Sequence, residues 1–132
     1  MIILDANAVL RYLLNDNEEM ASEVEEVIKS GSAYVTIEII AEVTYVLKGV
    51  YSVSRKDIGT VLTEKFLPEV NSEHSDVLKL GLRTYAENNI DFVDSILYAY
   101  HVINGYEIKT FDKKLSKLMD HAGNQGSVTW NA

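Results

Sequence analysis

Apolar positions along the chain alternate between two periods, and the switches between them mark out short strands and longer helices. Ile2-Ile3-Leu4 is a β-branched apolar run that stops at Asp5, the pattern of a short buried strand. Residues 8–14 (AVLRYLL) follow with helical spacing and Arg11 as their one charge. Residues 18–30 place Met20, Val24, Val27 and Ile28 on one helical face and stop at Gly31. Ala33-Tyr34-Val35 gives a second strand. Thr36 is then placed to cap a helix through Lys48, with Ile37, Ile40, Ala41, Tyr45 and Leu47 apolar and Gly49 at its end. Ser54 opens a helix over 55–66 that breaks before Pro68; a strand is expected around Glu69-Val70 and a helix over 75–87. Residues 91–103 are apolar around most of the circumference, which predicts a buried helix. Gly105 ends it, residues 107–110 read as a strand, 113–119 as a short helix and 126–132 as an edge strand.

Strands separated by helices imply parallel pairing through right-handed crossovers. The expectation is an α/β fold: a single domain over 1–132, built as a three-layer α/β/α sandwich around a mostly parallel sheet of four or five strands. In such sheets ligands bind beyond the carboxyl ends of the strands.

Composition narrows the classes. The 132 residues suit one domain, and 47% hydrophobic with 24% charged residues is globular rather than disordered. Cysteine is absent, which excludes disulfides, thiol nucleophiles and every zinc site built on thiolates. The longest apolar run is five residues, Ile96 to Tyr100, far short of the ~20 needed to span a membrane. With no basic leader before Asp5, the expected location is cytoplasmic. The net charge of −8 argues against a basic nucleic-acid coat, so the positions of the acids must decide between a solvated surface and a cation site.

Four acids stand where such a site would form. Asp5 follows the first strand and Asp112 lies two residues past the expected strand end at Thr110. Glu42 is about two turns into the helix after the second strand, and Asp94 is in the first turn of the apolar helix. Carboxylates brought together raise one another's pKa, so protons or cations must enter. Oxygen-only ligands suit magnesium or manganese, and paired ions ~3.5–4 Å apart are a usual clamp for phosphodiester cleavage. Plainer roles compete. Asp5 and Asp112 are well placed as helix caps, Asp91 and Asp94 resemble a capping box, and Glu42 shares a face with Glu38 as in a solvated helix. Asp91 is assigned to capping.

MIILDANAVLRYLL at 1–14, AEVTYVL at 41–47, DFVDSILYAY at 91–100 and KTFDKKLSKL at 109–118 together resemble the PIN domain. Size and spacing are most similar to the VapC-type toxins of prokaryotic toxin–antitoxin pairs. The resemblance implies a magnesium- or manganese-dependent endoribonuclease, a hydrolase of RNA phosphodiesters, with Asp5, Glu42, Asp94 and Asp112 as the catalytic and metal-binding quartet. It also implies a homodimer, restrained by a small antitoxin protein whose tail enters the acidic cleft. Asn7 and Thr110 match positions that often support the quartet through hydrogen bonds.

The remaining chemistry is sparse. His74, His101 and His121 share no ligand spacing, and His101 on a helix reads as structural. Arg11, Lys48, Lys113 and Lys114 are candidates for holding RNA phosphates. Tyr45, Tyr98 and Tyr100 lie on apolar helices and are assigned to the core rather than to base stacking. Asn7 stands where a haloacid-dehalogenase-like phosphatase would need a second aspartate, and no phosphate-binding glycine loop or nucleophile elbow occurs. The alternative from another class is a catalytically silent PIN-like interaction domain that binds a protein or RNA partner.

Overall fold

The computed structural model describes the backbone of residues 1–129 and the side chains of residues 1–122. The chain divides after Ser75 into two compact units.

The first unit carries the sheet. Strand β1 (Ile2–Ile3) pairs in parallel with β2 (Ala33–Val35), Ile2 opposite Ala33 and Ile3 opposite Tyr34. β2 pairs in parallel with β3 (Asn71–Ser72), giving the order β1-β2-β3. The Asn71 amide fastens β3 by donating to the carbonyls of Gly31 (2.9 Å) and Ala33 (3.0 Å). Four helices connect these strands, each started by a side-chain cap that satisfies an otherwise orphaned backbone N–H. Asp5 caps α1 (Ala6–Leu14), Asn17 caps α2 (Glu18–Lys29), Thr36 caps α3 (Ile37–Gly49) and Ser54 caps α4 (Arg55–Thr60). Gly31, at φ +78°, takes the left-handed turn that leads from α2 into β2. Apolar faces of these helices bury Val9, Ile40, Val43 and Ile58, and α1 packs against both α2 and α3.

The pattern is α/β with a small parallel sheet, as expected, but the sheet has three strands among the described residues rather than four or five. The strand expected at Glu69-Val70 begins at Asn71, because Pro68 holds Leu67–Glu69 in a 3₁₀ turn. The helix expected over 55–66 changes to π geometry at Val61–Phe66, where the Thr63 hydroxyl donates to the Gly59 carbonyl at 2.6 Å. Ile2 and Ile3 are about half exposed instead of buried, since β1 is an edge strand; Leu4, just beyond it, enters the core.

The second unit is helical: α5 (Ser75–Glu87), α6 (Phe92–Asn104) and α7 (Lys113–Thr129). α5 approaches α6 closely at Gly81, where a β-carbon would stand 2.6 Å from Ile96 Cδ1. Gly105, at φ +73°, closes α6 by donating to the His101 carbonyl. His101 Nδ1 lies 2.8 Å from the Tyr106 carbonyl, which makes that nitrogen the donor and gives the ring the structural part expected of it. Ile90, Leu115 and Met119 form a buried cluster, with Leu97, Tyr98, Ile108 and Leu118 packed on it.

Three expectations fail here. Residues 107–110 form an unpaired connection between α6 and α7, although their exposure alternates as in a strand; Ile108 turns its side chain to the helical cluster instead of into a ladder. The helix expected to stop at 119 continues to Thr129, so the edge strand expected over 126–132 is helical as far as Thr129, and its residues 130–132 lie outside the described residues. α6 is not buried all round, since Val93 is 59% exposed. Among the described residues no helix is long and apolar enough to cross a membrane.

Candidate acidic site

In the second unit the start of α6 and the start of α7 share one cleft. Its volume is about 310 Å³, and Asn89, Asp91, Asp94, Asp112, Lys113 and Lys114 are among the residues that line it. Two sequence-predicted acids, Asp94 and Asp112, are therefore brought together from positions 18 residues apart. Burial, then the negative charge of Asp112, then that of Asp91 hold the Asp94 carboxyl above the usual aspartate pKa. The order matters: desolvation penalises the ionised form first, and the two neighbouring carboxylates add to it.

Local hydrogen bonds hold Asp112 in place. Its Oδ1 accepts from Leu115 N at 2.8 Å as the cap of α7, while its own N–H donates to Thr110 Oγ1 at 3.0 Å. The cap uses one carboxylate oxygen, so capping and ligation are compatible roles for this residue. Thr110 thus hydrogen-bonds to the backbone of one of the four expected acids.

Asp91 departs from its assignment. It occupies the N-cap position of α6 with extended backbone, yet its side chain makes no capping hydrogen bond. Its carboxylate lines the cleft one helical turn from Asp94 instead. The i,i+3 spacing of the two acids was the available signal, and it fits a shared face as well as it fits a capping box.

In the first unit, Asp5 lies two residues beyond β1 and its Oδ1 accepts from Ala8 N at 2.8 Å, so the capping role is real. The register of β1 on β2 sets Asp5 level with Thr36, at the carboxyl edge of the sheet. Glu42 is six residues further along α3, roughly 9 Å from that edge by helical rise. It is exposed, on the face that also carries Glu38 and Tyr45. Asn7 is exposed in the first turn of α1.

The candidate cations separate clearly. Arg11 is committed to the fold: Nη1 pairs with Asp16 Oδ2 at 2.8 Å and Nη2 donates to Tyr51 OH at 3.3 Å. Lys48 is exposed near the end of α3. Lys113 and Lys114 flank the acids, and Lys114 Nζ donates to the Asn89 carbonyl at 3.2 Å across the cleft rim. Tyr45 is 80% exposed and not in the core, because its helical register continues the stripe of Glu38 and Glu42.

Carboxylate oxygens suit a hard divalent cation, and a cation would relieve the repulsion that adds to burial in holding the Asp94 carboxyl up. Among the described residues, no three His, Asp or Glu side chains are grouped so as to enclose a metal ion by themselves. Magnesium is commonly held by one or two carboxylates with water and substrate phosphate completing its shell, so the donor set fits the ion chemically without a closed cage.

Comparison with protein families supplies the class. The PIN domain model matches residues 2–120, and the chain belongs to the PIN domain family. PIN domains are usually nucleases and generally use divalent metals, which places this chain on a nuclease-type fold. Neither the curated proteins nor the solved structures include a match.

Proposed function

We propose that the protein is a magnesium- or manganese-dependent endoribonuclease and the toxin of a type II toxin–antitoxin pair. The observation that supports this reading best is the convergence of Asp94 and Asp112, with two lysines, in one cleft of a PIN-family chain. In this reading Asp94 and Asp112 hold the ion, while Asp5 and Glu42 are the other two acids of the quartet that the resemblance implies. When bound, the ion supplies a more acidic water and neutralises charge developing on the phosphate.

The chain's own side chains do the rest. Thr110 Oγ1 holds the Asp112 backbone N–H and Leu115 N holds its Oδ1, so part of the ordering cost of ligation is met before an ion binds. Lys113 and Lys114 attract backbone phosphates to an otherwise acidic rim, a contact that positions a strand without selecting its sequence. The toxin assignment, the homodimer and the antitoxin partner rest on the resemblance of the four motif segments, and the acidic cleft is where an antitoxin tail would enter.

The test is cleavage of single-stranded RNA by purified protein, followed by gel with and without magnesium. Cleavage that requires magnesium, stops in EDTA and accompanies slowed growth of an expressing bacterial host is expected. RNA left intact at every metal concentration by a protein that binds it or another protein would favour the silent interaction domain.

A further inference from the structure

One aromatic ring, next in sequence to a residue that lines the cleft, is left in water. Phe111 is 91% exposed, at the position immediately before the capping Asp112. Lys109 Nζ stands 5.2 Å from the centre of its ring, a cation–π contact on a ring otherwise open to solvent. A lone exposed apolar side chain is ordinary by itself, so only the charge around this ring can point to an occupant. The surroundings specify one. Lys109, Lys113 and Lys114 set positive charge on either side of the ring along the chain, and the last two line the cleft that holds Asp94 and Asp112. A flat apolar face flanked by cations matches a base joined to its phosphates, and an aliphatic partner surface would gain nothing from the lysine held over the ring.

We propose that Phe111 is a stacking platform that holds one unpaired base of a single-stranded RNA next to the acidic cleft, and so sets which phosphate reaches Asp94 and Asp112. The inference rests on the ribonuclease reading and adds a positioning residue to it. Stacking tolerates any base, since each has a π-face, so the platform selects single strands over duplexes rather than one sequence over another. In a duplex the bases are already stacked on their neighbours and the ring has nothing to receive.

Phe111→Ala, Phe111→Leu and Phe111→Trp in the full chain test this with a fluorescein-labelled oligouridylate and with duplex RNA, in EDTA and in magnesium. Anisotropy and cleavage are read in parallel, with solution mass as a third readout. Alanine and leucine are expected to weaken single-strand binding by roughly ten- to a hundred-fold, while tryptophan stays near the native value. Duplex binding and the rise in melting temperature with magnesium should not change in any of them. Native-level single-strand binding by the alanine and leucine variants, while the native protein cleaves RNA, overturns the platform and leaves the ribonuclease reading standing. So does a change in solution mass with RNA binding intact, which assigns the ring to a protein contact. A native protein that neither binds nor cleaves RNA in magnesium overturns both.

Discussion

Asp94→Asn is expected to cut magnesium-dependent RNA cleavage on the order of a hundred- to a thousand-fold while leaving the melting temperature in EDTA unchanged or higher. The two halves have one cause. Burial and the charges of Asp112 and Asp91 make ionised Asp94 unfavourable in the folded chain, so the native protein carries a repelled charge that its proposed chemistry needs. The pH dependence follows from the sign of the shift. A folded-state pKa above the unfolded value of ~3.9 gives a contribution fully present in acid and lost as pH rises through the folded value. Asparagine does not ionise and escapes that loss. The variant's margin over the native protein in EDTA should therefore widen from acid toward neutral pH. Thermal scans across that range, with cleavage measured at neutral pH, check both halves. A destabilised variant, or one that still cleaves, contradicts the site as drawn.

Asp5 separates by a pair of substitutions. Its Oδ1 caps α1 through Ala8 N, and asparagine caps as well as aspartate. Asp5→Asn should keep the native melting temperature yet lose cleavage on the order of a hundred-fold, because the amide keeps the hydrogen bond and gives up the charge. Asp5→Ala should lose the cap too, at about 1 kcal/mol, or a few degrees of melting temperature for a domain of this size. A fully active Asp5→Asn alongside a destabilised Asp5→Ala would leave Asp5 as a cap and nothing more.

Local signals in the sequence were legible where local physics decides. Thr36, Ser54 and Asp5 fall where a short polar side chain can meet an orphaned N–H, and helices begin one residue after each. The runs at 2–4 and 33–35 gave β1 and β2, and the parallel pairing followed from the helices between them. What failed depends on partners distant in sequence. Residues 107–110 have strand-like alternation, but a ladder needs a second strand, and Ile108 is drawn to Leu115 and Met119 instead. Tyr45 counts as apolar in any tally, yet its register puts it beside Glu38 and Glu42 on the exposed face. Asp91 has the residue type and backbone of a cap without the hydrogen bond, which only coordinates reveal. Asp94 and Asp112 each had a plainer reading at a helix start, so neither stood out alone in the sequence, yet they do share a cleft. Phe111 gave no signal at all: a lone aromatic between charges looks the same whether it is buried or bare.

In the proposed site, acids far apart in the chain gather a divalent cation. Melting temperature against magnesium concentration, compared for the native protein, Asp94→Asn and Asp112→Asn, tests it most directly, since asparagine at 112 can still accept from Leu115 N. A cation bound to the folded state alone stabilises it by about 2.7 kcal/mol at a hundred times its Kd. A steep rise is expected for the native protein and a flattened one for both variants. Identical rises in all three would contradict the proposed site.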